Sequence, residues 1–241
     1  MSQIVDFHSH VLPGIDDGSK DLDMSLQMLR IMAKQGITHV VATPHFYPQH
    51  DTPERFLRRR AESEKILRDA MANESGLPTL SIGAEVYYFS GMSDSDAIRE
   101  LTIDKNRCIL IEMPSMPWTE VMYRELEALY VKRGLIPVVA HVDRYLSRFS
   151  AHGILKRLES LPVLMQANAD FFLKRTTKRM ALRMLKKGMI HLLGSDCHNL
   201  TDRSPNLGAA LELIQQRVDP SSLEHILFHE QLALEKENNV V

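Results

Sequence analysis

Cysteine is scarce in this chain. The 241 residues hold only Cys108 and Cys197, which stand far apart and lack the paired spacing of a thiolate metal site. A disulfide scaffold is excluded, and a reducing compartment is expected. Charge of one sign is missing as well. The formal net charge is −2, so bulk electrostatics give no reason to expect nucleic acid as a partner. No apolar run approaches the ~20 residues that cross a bilayer. Met1-Ser2-Gln3 does not open a basic stretch followed by an apolar one. A soluble, cytoplasmic protein that is not membrane-embedded is therefore expected. Fixed-period repeats, low-complexity tracts and interdomain linkers are also lacking. What the chain does have is 44% hydrophobic residues. That is enough for one sizeable core, so residues 1–241 are read as a single domain.

Those apolar residues fall into short runs that alternate with helix-like segments. Ile4-Val5 starts a buried strand leading into Asp6-Phe7-His8-Ser9-His10. Six further strand-like runs follow, at 37–45, 79–88, 108–114, 136–144, 162–168 and 190–198. Helical patterns fill the intervals: 24–35 closed by Gly36, a long helix opened by Thr52-Pro53, 119–133 closed by Gly134, 154–161, and 176–187 stopped by Gly188. Met24, Met28 and Met32 read as core filler. Residues 94–107 are polar and show no clear element. Two helices, about 206–217 and 220–237, close the chain. This alternation predicts an α/β fold with a parallel sheet and crossover helices. Seven such units suggest a closed or nearly closed barrel.

In parallel barrels the chemistry sits at the C-terminal ends of the strands. The strand-like runs here end in His8 and His10, His45, Glu85, Glu112, His141, and Asp196 and His198. Two histidines two apart on extended backbone point to the same side. Taken alone, such a pair describes core or surface histidines equally well. Asp16 and Asp17 follow the first strand in a Pro-Gly/Asp-Gly loop. They read as turn formers or a cap, and Asp17 also as a carboxylate for a cluster. His39, inside its strand, reads as structural. With Asp17 the candidates number nine, too many for one catalytic zinc with three protein ligands. They fit two or three divalent ions sharing a bridging carboxylate, an arrangement suited to hydrolysing phosphate esters. Arg144 and Arg203 stand just beyond ligand positions. A guanidinium there can clamp phosphate through two hydrogen bonds, or pair with a local acid. Arg58-Arg59-Arg60 reads as a solvated face, or as a docking patch for an acidic partner.

Taken together, these stretches resemble the polymerase and histidinol phosphatase (PHP) superfamily. Within it they are most similar to the bacterial protein-tyrosine phosphatases of the CpsB/CapC type, linked to capsule and exopolysaccharide export. The matching segments are DFHSHVLPGIDDGSKD from Asp6, ATPHF from Ala42, GAEVYY from Gly83, IEMP from Ile111, AHVDRY from Ala140, QANADFF from Gln166 and LLGSDCHN from Leu192. The likeness runs from Ile4 to about Leu211. It implies a distorted (β/α)7 barrel of PHP fold, with the C-terminal helices packed on it. It also implies a trinuclear centre supported by Mn²⁺, with Fe, Zn, Co or Mg as alternatives. Carried over, one ion takes His8, His10, Glu85 and Asp196. A second takes Glu85, Glu112 and His141, and a third takes Asp17, His45 and His198. Arg144 and Arg203 match the phosphate-binding arginines. The implied reaction is hydrolysis of phosphotyrosine by direct attack of a metal-bound hydroxide. The implied partner is the phosphotyrosine tail of a bacterial tyrosine kinase, which would recruit the enzyme to the inner face of the membrane.

Three rivals remain at this point. Cys197 and Arg203 have the Cys-x5-Arg spacing of cysteine-dependent phosphatases. The five residues between them contain no glycine to form a phosphate cradle, however, and Asp196 and Asp202 would repel the anion. A small-molecule PHP phosphatase or phosphodiesterase, acting for example on histidinol phosphate, is the second. A metal-binding regulatory protein without turnover is the third.

Overall fold

The computed structural model describes residues 3–146 and 151–235. All seven expected strand units are present, as staves of two parallel sheets that together form one curl. The first is β1 (Val5–Ser9). The second splits into β2 (His39–Ala42) and β3 (His45–Phe46), and the third into β4 (Thr79–Ile82) and β5 (Glu85–Tyr87). Single strands follow: β6 (Cys108–Glu112), β7 (Ile136–Val139), β8 (Leu164–Asn168) and β9 (Leu192–Gly194). The order is β1-β2-β4 in one sheet and β3-β5-β6-β7-β8-β9 in the other, the two being joined through the broken second and third staves. The curl closes where the segment after β9 meets β1. Asp196 N–H donates to His8 O (2.8 Å), His10 N–H donates to Cys197 O (3.0 Å), and Ser9 and Cys197 form a parallel bridge.

The two split staves correct the expectation of unbroken strands at 37–45 and 79–88. Thr43-Pro44 interrupts one, and Gly83-Ala84 interrupts the other beside it. Pro44 has no N–H to give a neighbour, yet its carbonyl still accepts from Glu85 N–H (3.0 Å). Past the break, His45 pairs with Glu85, and β5 turns to pair with β6. The sheet is therefore distorted where two candidate ligands leave it.

Helices lie between the staves. Asp21 caps α1 (Leu22–Lys34) by accepting from Met24 N–H, and Met28 and Met32 are buried as expected. Thr52 caps α2 (Pro53–Met71), with proline in its first turn. Then come α3 (Glu120–Arg133), α4 (Val142–Leu146), α5 (Ala151–Leu158), α6 (Ala169–Leu173), α7 (Lys178–Lys186), α8 (Leu207–Gln215) and α9 (Pro220–Leu234). The strand expected over 136–144 stops at Val139. His141 takes a positive φ of 34°, and the chain turns at once into α4. Arg144 thus stands on a helical turn, not on a strand. The polar stretch 94–107 folds into short 3-10 turns that bury Ile98, Leu101 and Ile103. Residues 236–237 of the last expected helix lie outside the described residues. Among the described residues, no helix is long and apolar enough to cross a membrane.

Alternate residues divide between two apolar layers. Ile109, Ile111 and Val139 pack with helix residues such as Met28 and Leu126. Cys108, Leu110 and Val138 pack with Phe7, Leu164 and Leu192, and with Ala233 of α9. The second layer is the inner face of the curl. His39 is structural, as read: its ring meets Thr79 Oγ1 at 2.7 Å and Ser81 Oγ at 2.8 Å.

Beneath the curl, Glu230 of α9 is buried. Burial, with a smaller contribution from Asp6, pushes its carboxyl up to about 8. Between the ordinary carboxyl value and about pH 8, the folded protein keeps a proton that the unfolded chain has lost. Stability therefore falls as pH rises through that window. Glu230→Gln should unfold at a higher temperature than wild type at pH 8, with the difference gone near pH 4.5. Parallel pH-dependent melts that leave a constant difference would refute the burial cost.

Candidate metal centre

β1 delivers the first two imidazoles. A bulge between Asp6 and Ser9 breaks its register against β2, and the His8 and His10 Nε2 atoms come within 3.2 Å of each other. Their outer nitrogens are already engaged. His8 Nδ1–H donates to Gln166 Oε1 (3.2 Å), and His10 Nδ1–H donates to Asp16 Oδ2 (2.8 Å). When either ring is neutral, with its one proton on Nδ1, its lone pair points inward from Nε2. His198 repeats the device: its Nδ1–H donates to Asp196 O (3.0 Å), and its Nε2 is buried without a hydrogen-bond partner.

Glu85 stands among these rings and is 1% exposed. Its Oε2 lies 3.1 Å from His8 Nε2, 3.3 Å from His10 Nε2 and 3.1 Å from His45 Nδ1. Its Oε1 lies 2.7 Å from His141 Nε2. Burial alone would raise its pKa. The charge on His8 and hydrogen bonds from His10, His141 and His8 outweigh it and hold the carboxyl well below the usual range. Asp196 is likewise held low against burial, by His8, His10 and Arg144. Against the cost of burial, Glu85 and Asp196 raise the pKa of His8, and Asp16, followed by Asp196 and Glu85, raises that of His10. Burial takes His45 the other way, down to about 4. The centre thus concentrates negative charge and draws protons onto two of its imidazoles. A divalent cation offers the same compensation with more charge.

The donors gather into overlapping groups, each with one donor atom per residue within 4.8 Å of the others. These are His8, His10, Glu85 and Asp196; His10, Asp17, His45 and His198; and His45, Glu85 and Glu112. His141 joins the third, 2.7 Å from Glu85 and 3.7 Å from Glu112. All nine residues expected from the sequence are therefore brought together. The grouping is more shared than expected, because His10 and His45 each border two groups. Nitrogen and carboxylate donors in this mixture suit Mn²⁺, Fe²⁺ or Zn²⁺. His141 and Asp196, both donors, also hold positive φ values of 34° and 55°. Such backbone costs about 1–3 kcal/mol per residue and tends to cluster at functional sites.

The two arginines converge on the same donor. Arg144 Nη2 donates to Asp196 Oδ2, and Arg203 Nη2 donates to Asp196 Oδ1 at 2.9 Å. Neither is diverted from the centre, and their side chains remain 38% and 35% exposed. They open onto a cleft of about 290 Å³ that Asn168 and Lys174 also line. The run Arg58-Arg59-Arg60 is not one patch. Arg60 is buried and donates to Gly83 O and Glu100 O; Arg59 donates to Ile15 O and Asp51; only Arg58 is fully on the surface.

Sequence reasoning missed the residues that orient the donors. Asp16, read as a turn former, accepts from His10 and from His45 N–H (2.9 Å). Gln166 accepts from His8 and from His141 N–H (2.7 Å), and its amide is fixed by donating to Asn168 Oδ1 (3.1 Å). Asn168 Nδ2 in turn donates to Asp196 Oδ2 (2.9 Å). The one available signal was two amides, Gln166 and Asn168, at alternate positions in a buried strand. Cys197 is fully buried. Burial, with the nearby charge of Asp6 and Asp196, keeps its thiol well above the usual value. It is no thiolate nucleophile.

A curled parallel α/β fold with five imidazoles and four carboxylates converging at its C-terminal strand ends defines a class: barrel proteins with a multi-donor centre that could hold divalent cations. Residues 4–234 match the family described as capsular polysaccharide synthesis, CpsB/CapC, and the chain belongs to that family. It is 28% identical over 222 residues to the tyrosine-protein phosphatase CpsB of Streptococcus agalactiae serotype III (strain NEM316), covering 88% of this chain and 89% of that one. It is 28% identical over 221 residues to the tyrosine-protein phosphatase YwqE of Bacillus subtilis (strain 168), covering 88% and 84%. The fold matches a structure from work on YwqE of B. subtilis and CpsB of Streptococcus pneumoniae, described as unique metal-dependent tyrosine phosphatases. The TM-score is 0.84 at 24% identity, over 97% of this chain and 95% of that one.

Proposed function

We propose that this protein is a metal-dependent protein-tyrosine phosphatase that serves capsule or exopolysaccharide synthesis. The observation that carries the reading is the junction at Asp196. One carboxylate borders the buried donor group and also holds two guanidinium groups that face an open cleft. The ligands are His8, His10, Asp17, His45, Glu85, Glu112, His141, Asp196 and His198, and two or three ions, with Mn²⁺ the leading choice, fit their number. Divalent ions held there would lower the pKa of coordinated water and neutralise charge on phosphoryl oxygens. Arg144 and Arg203 would receive the remaining phosphate oxygens in the fork geometry that guanidinium favours. Asp196, accepting from both, sets their spacing before substrate arrives. Asp16 and Gln166 hold the imidazole lone pairs inward, so the donor set is ordered in advance. The substrate in this reading is the phosphotyrosine tail of a bacterial tyrosine kinase. The enzyme is cytoplasmic and meets that tail at the inner face of the membrane.

Phosphate release from a phosphotyrosine peptide tests the reading. Chelator-stripped protein should be inactive, and Mn²⁺ should restore turnover. Cys197→Ser should keep activity within a few-fold of wild type, because the thiol is buried and protonated. Activity that survives verified stripping and vanishes in Cys197→Ser would move the chemistry onto the cysteine. Tight phosphopeptide binding without release would leave only a binding role.

A further inference from the structure

A second group of histidines meets away from the strand ends. His225 and His229 stand one turn apart on α9, and His191 immediately precedes β9. The ring centroids of His225 and His229 lie 4.4 Å apart, with the His191 ring 4.8 Å from His229 and 5.4 Å from His225. One nitrogen of each lies within 4.8 Å of the others, and all three residues are partly exposed. β9 separates His191 from Asp196. At about 3.3 Å per residue, the two groups stand on the order of 15 Å apart. The proposed phosphatase uses none of the three.

The state of each nitrogen separates their roles. His229 Nδ1–H donates to His225 O (2.8 Å), which leaves the lone pair of the neutral ring on Nε2. His225 Nε2 is buried and has no hydrogen-bond partner, a costly condition for a polar atom. His191 differs. Its Nδ1 accepts the Met165 amide at 3.0 Å, so its other nitrogen carries the proton of the neutral ring and neither is free to ligate. Two of the rings, those of His191 and His225, are biased toward the neutral form. Burial first, then the other two histidines, takes His191 down to about 3, and burial and His229 lower His225.

We propose that His225 and His229 form a bidentate site for a late first-row transition cation such as Zn²⁺, with His191 as a neighbouring wall and not a ligand. Two histidines at i and i+4 present their rings on one helix face, the spacing that metal-binding helices use. Imidazole without carboxylate favours Zn²⁺, Cu²⁺ or Ni²⁺ over Mn²⁺ or Mg²⁺. Water completes the coordination on the exposed side. An ion bound there holds one turn of α9 and stabilises the folded state by mass action.

Equilibrium dialysis of the full chain against Zn²⁺ tests this, with metal per chain as the readout. The centre at the strand ends contributes equally to wild type and variants, so a difference isolates this site. His225→Gln and His229→Gln should each bind one equivalent fewer than wild type. Both should also lose the part of the Zn²⁺-dependent rise in melting temperature that this site supplies, with phosphate release under Mn²⁺ unchanged. His191→Asn, whose side-chain oxygen can accept the Met165 amide in place of Nδ1, should keep the full count. Melting of the chelator-treated variants shows that each is folded; if one is not, the other still reads the site. Equal Zn²⁺ counts in wild type and both glutamine variants would overturn the proposal. Loss of the equivalent in folded His191→Asn would overturn the ligand assignment.

Discussion

Glu85→Gln is expected to abolish metal-supported phosphate release, lowering kcat by roughly a thousandfold or more, about 4 kcal/mol in the barrier. Glu85 is the carboxylate on which the site turns. It lies within 3.3 Å of nitrogen atoms from His8, His10, His45 and His141, residues brought in by three different staves and their loops. Glutamine keeps the volume and one oxygen but removes the charge. It also places an N–H₂ group, a donor, where imidazole lone pairs converge. Metal content should fall with activity, because the neutral amide would offset none of the charge of cations held there. Metal per chain and phosphate release should be measured on the same sample. Retention of both within threefold would mean that Glu85 is an ordinary buried acid and that the centre lies elsewhere. Melting under chelator separates this from misfolding: the variant should stay folded, since the surrounding apolar layers do not depend on its charge.

Arg203→Ala and Arg144→Ala should each lower kcat/KM for a phosphotyrosine peptide by roughly a hundredfold, the usual scale for removing a donor that meets developing charge. Metal content should change little. Lysine at either position should recover only part of the loss, because a point charge replaces a two-pronged donor. The double variant should lose less than the product of the single effects, since both arginines share Asp196 and act as one unit. A multiplicative loss would show that they bind independently. Full activity in both single variants would mean that they serve only to neutralise Asp196.

Much of the centre was legible before folding was considered. Strand period and the position of strand exits put eight donors at one end of a parallel sheet, the loop after the first strand added Asp17, and all nine meet there. The breaks at Thr43-Pro44 and Gly83-Ala84 were visible as residues but not as consequences. A proline or glycine in an apolar run does not say which neighbour the chain pairs with after the break. Asp16 and Asp17 are indistinguishable by local pattern. Asp17 faces the imidazoles of His45 and His198, whereas Asp16 turns back to orient His10. Arg58-Arg59-Arg60 looked uniform, yet helix geometry sends the three side chains in different directions: Arg58 stays in water, Arg59 is partly covered and Arg60 is buried.

By itself the sequence determined the alternation of buried strands and helices, and which strands end in imidazole or carboxylate. Period and chain order are local properties, written in neighbouring residues. Only the tertiary structure decided which nitrogen of each histidine faces the centre, which carboxylate is shared, and that two arginines grip one aspartate. Those choices rest on hydrogen bonds between residues far apart in the chain, such as His8 with Gln166 and Arg144 with Asp196. Their geometry exists only once the last stave has closed against the first.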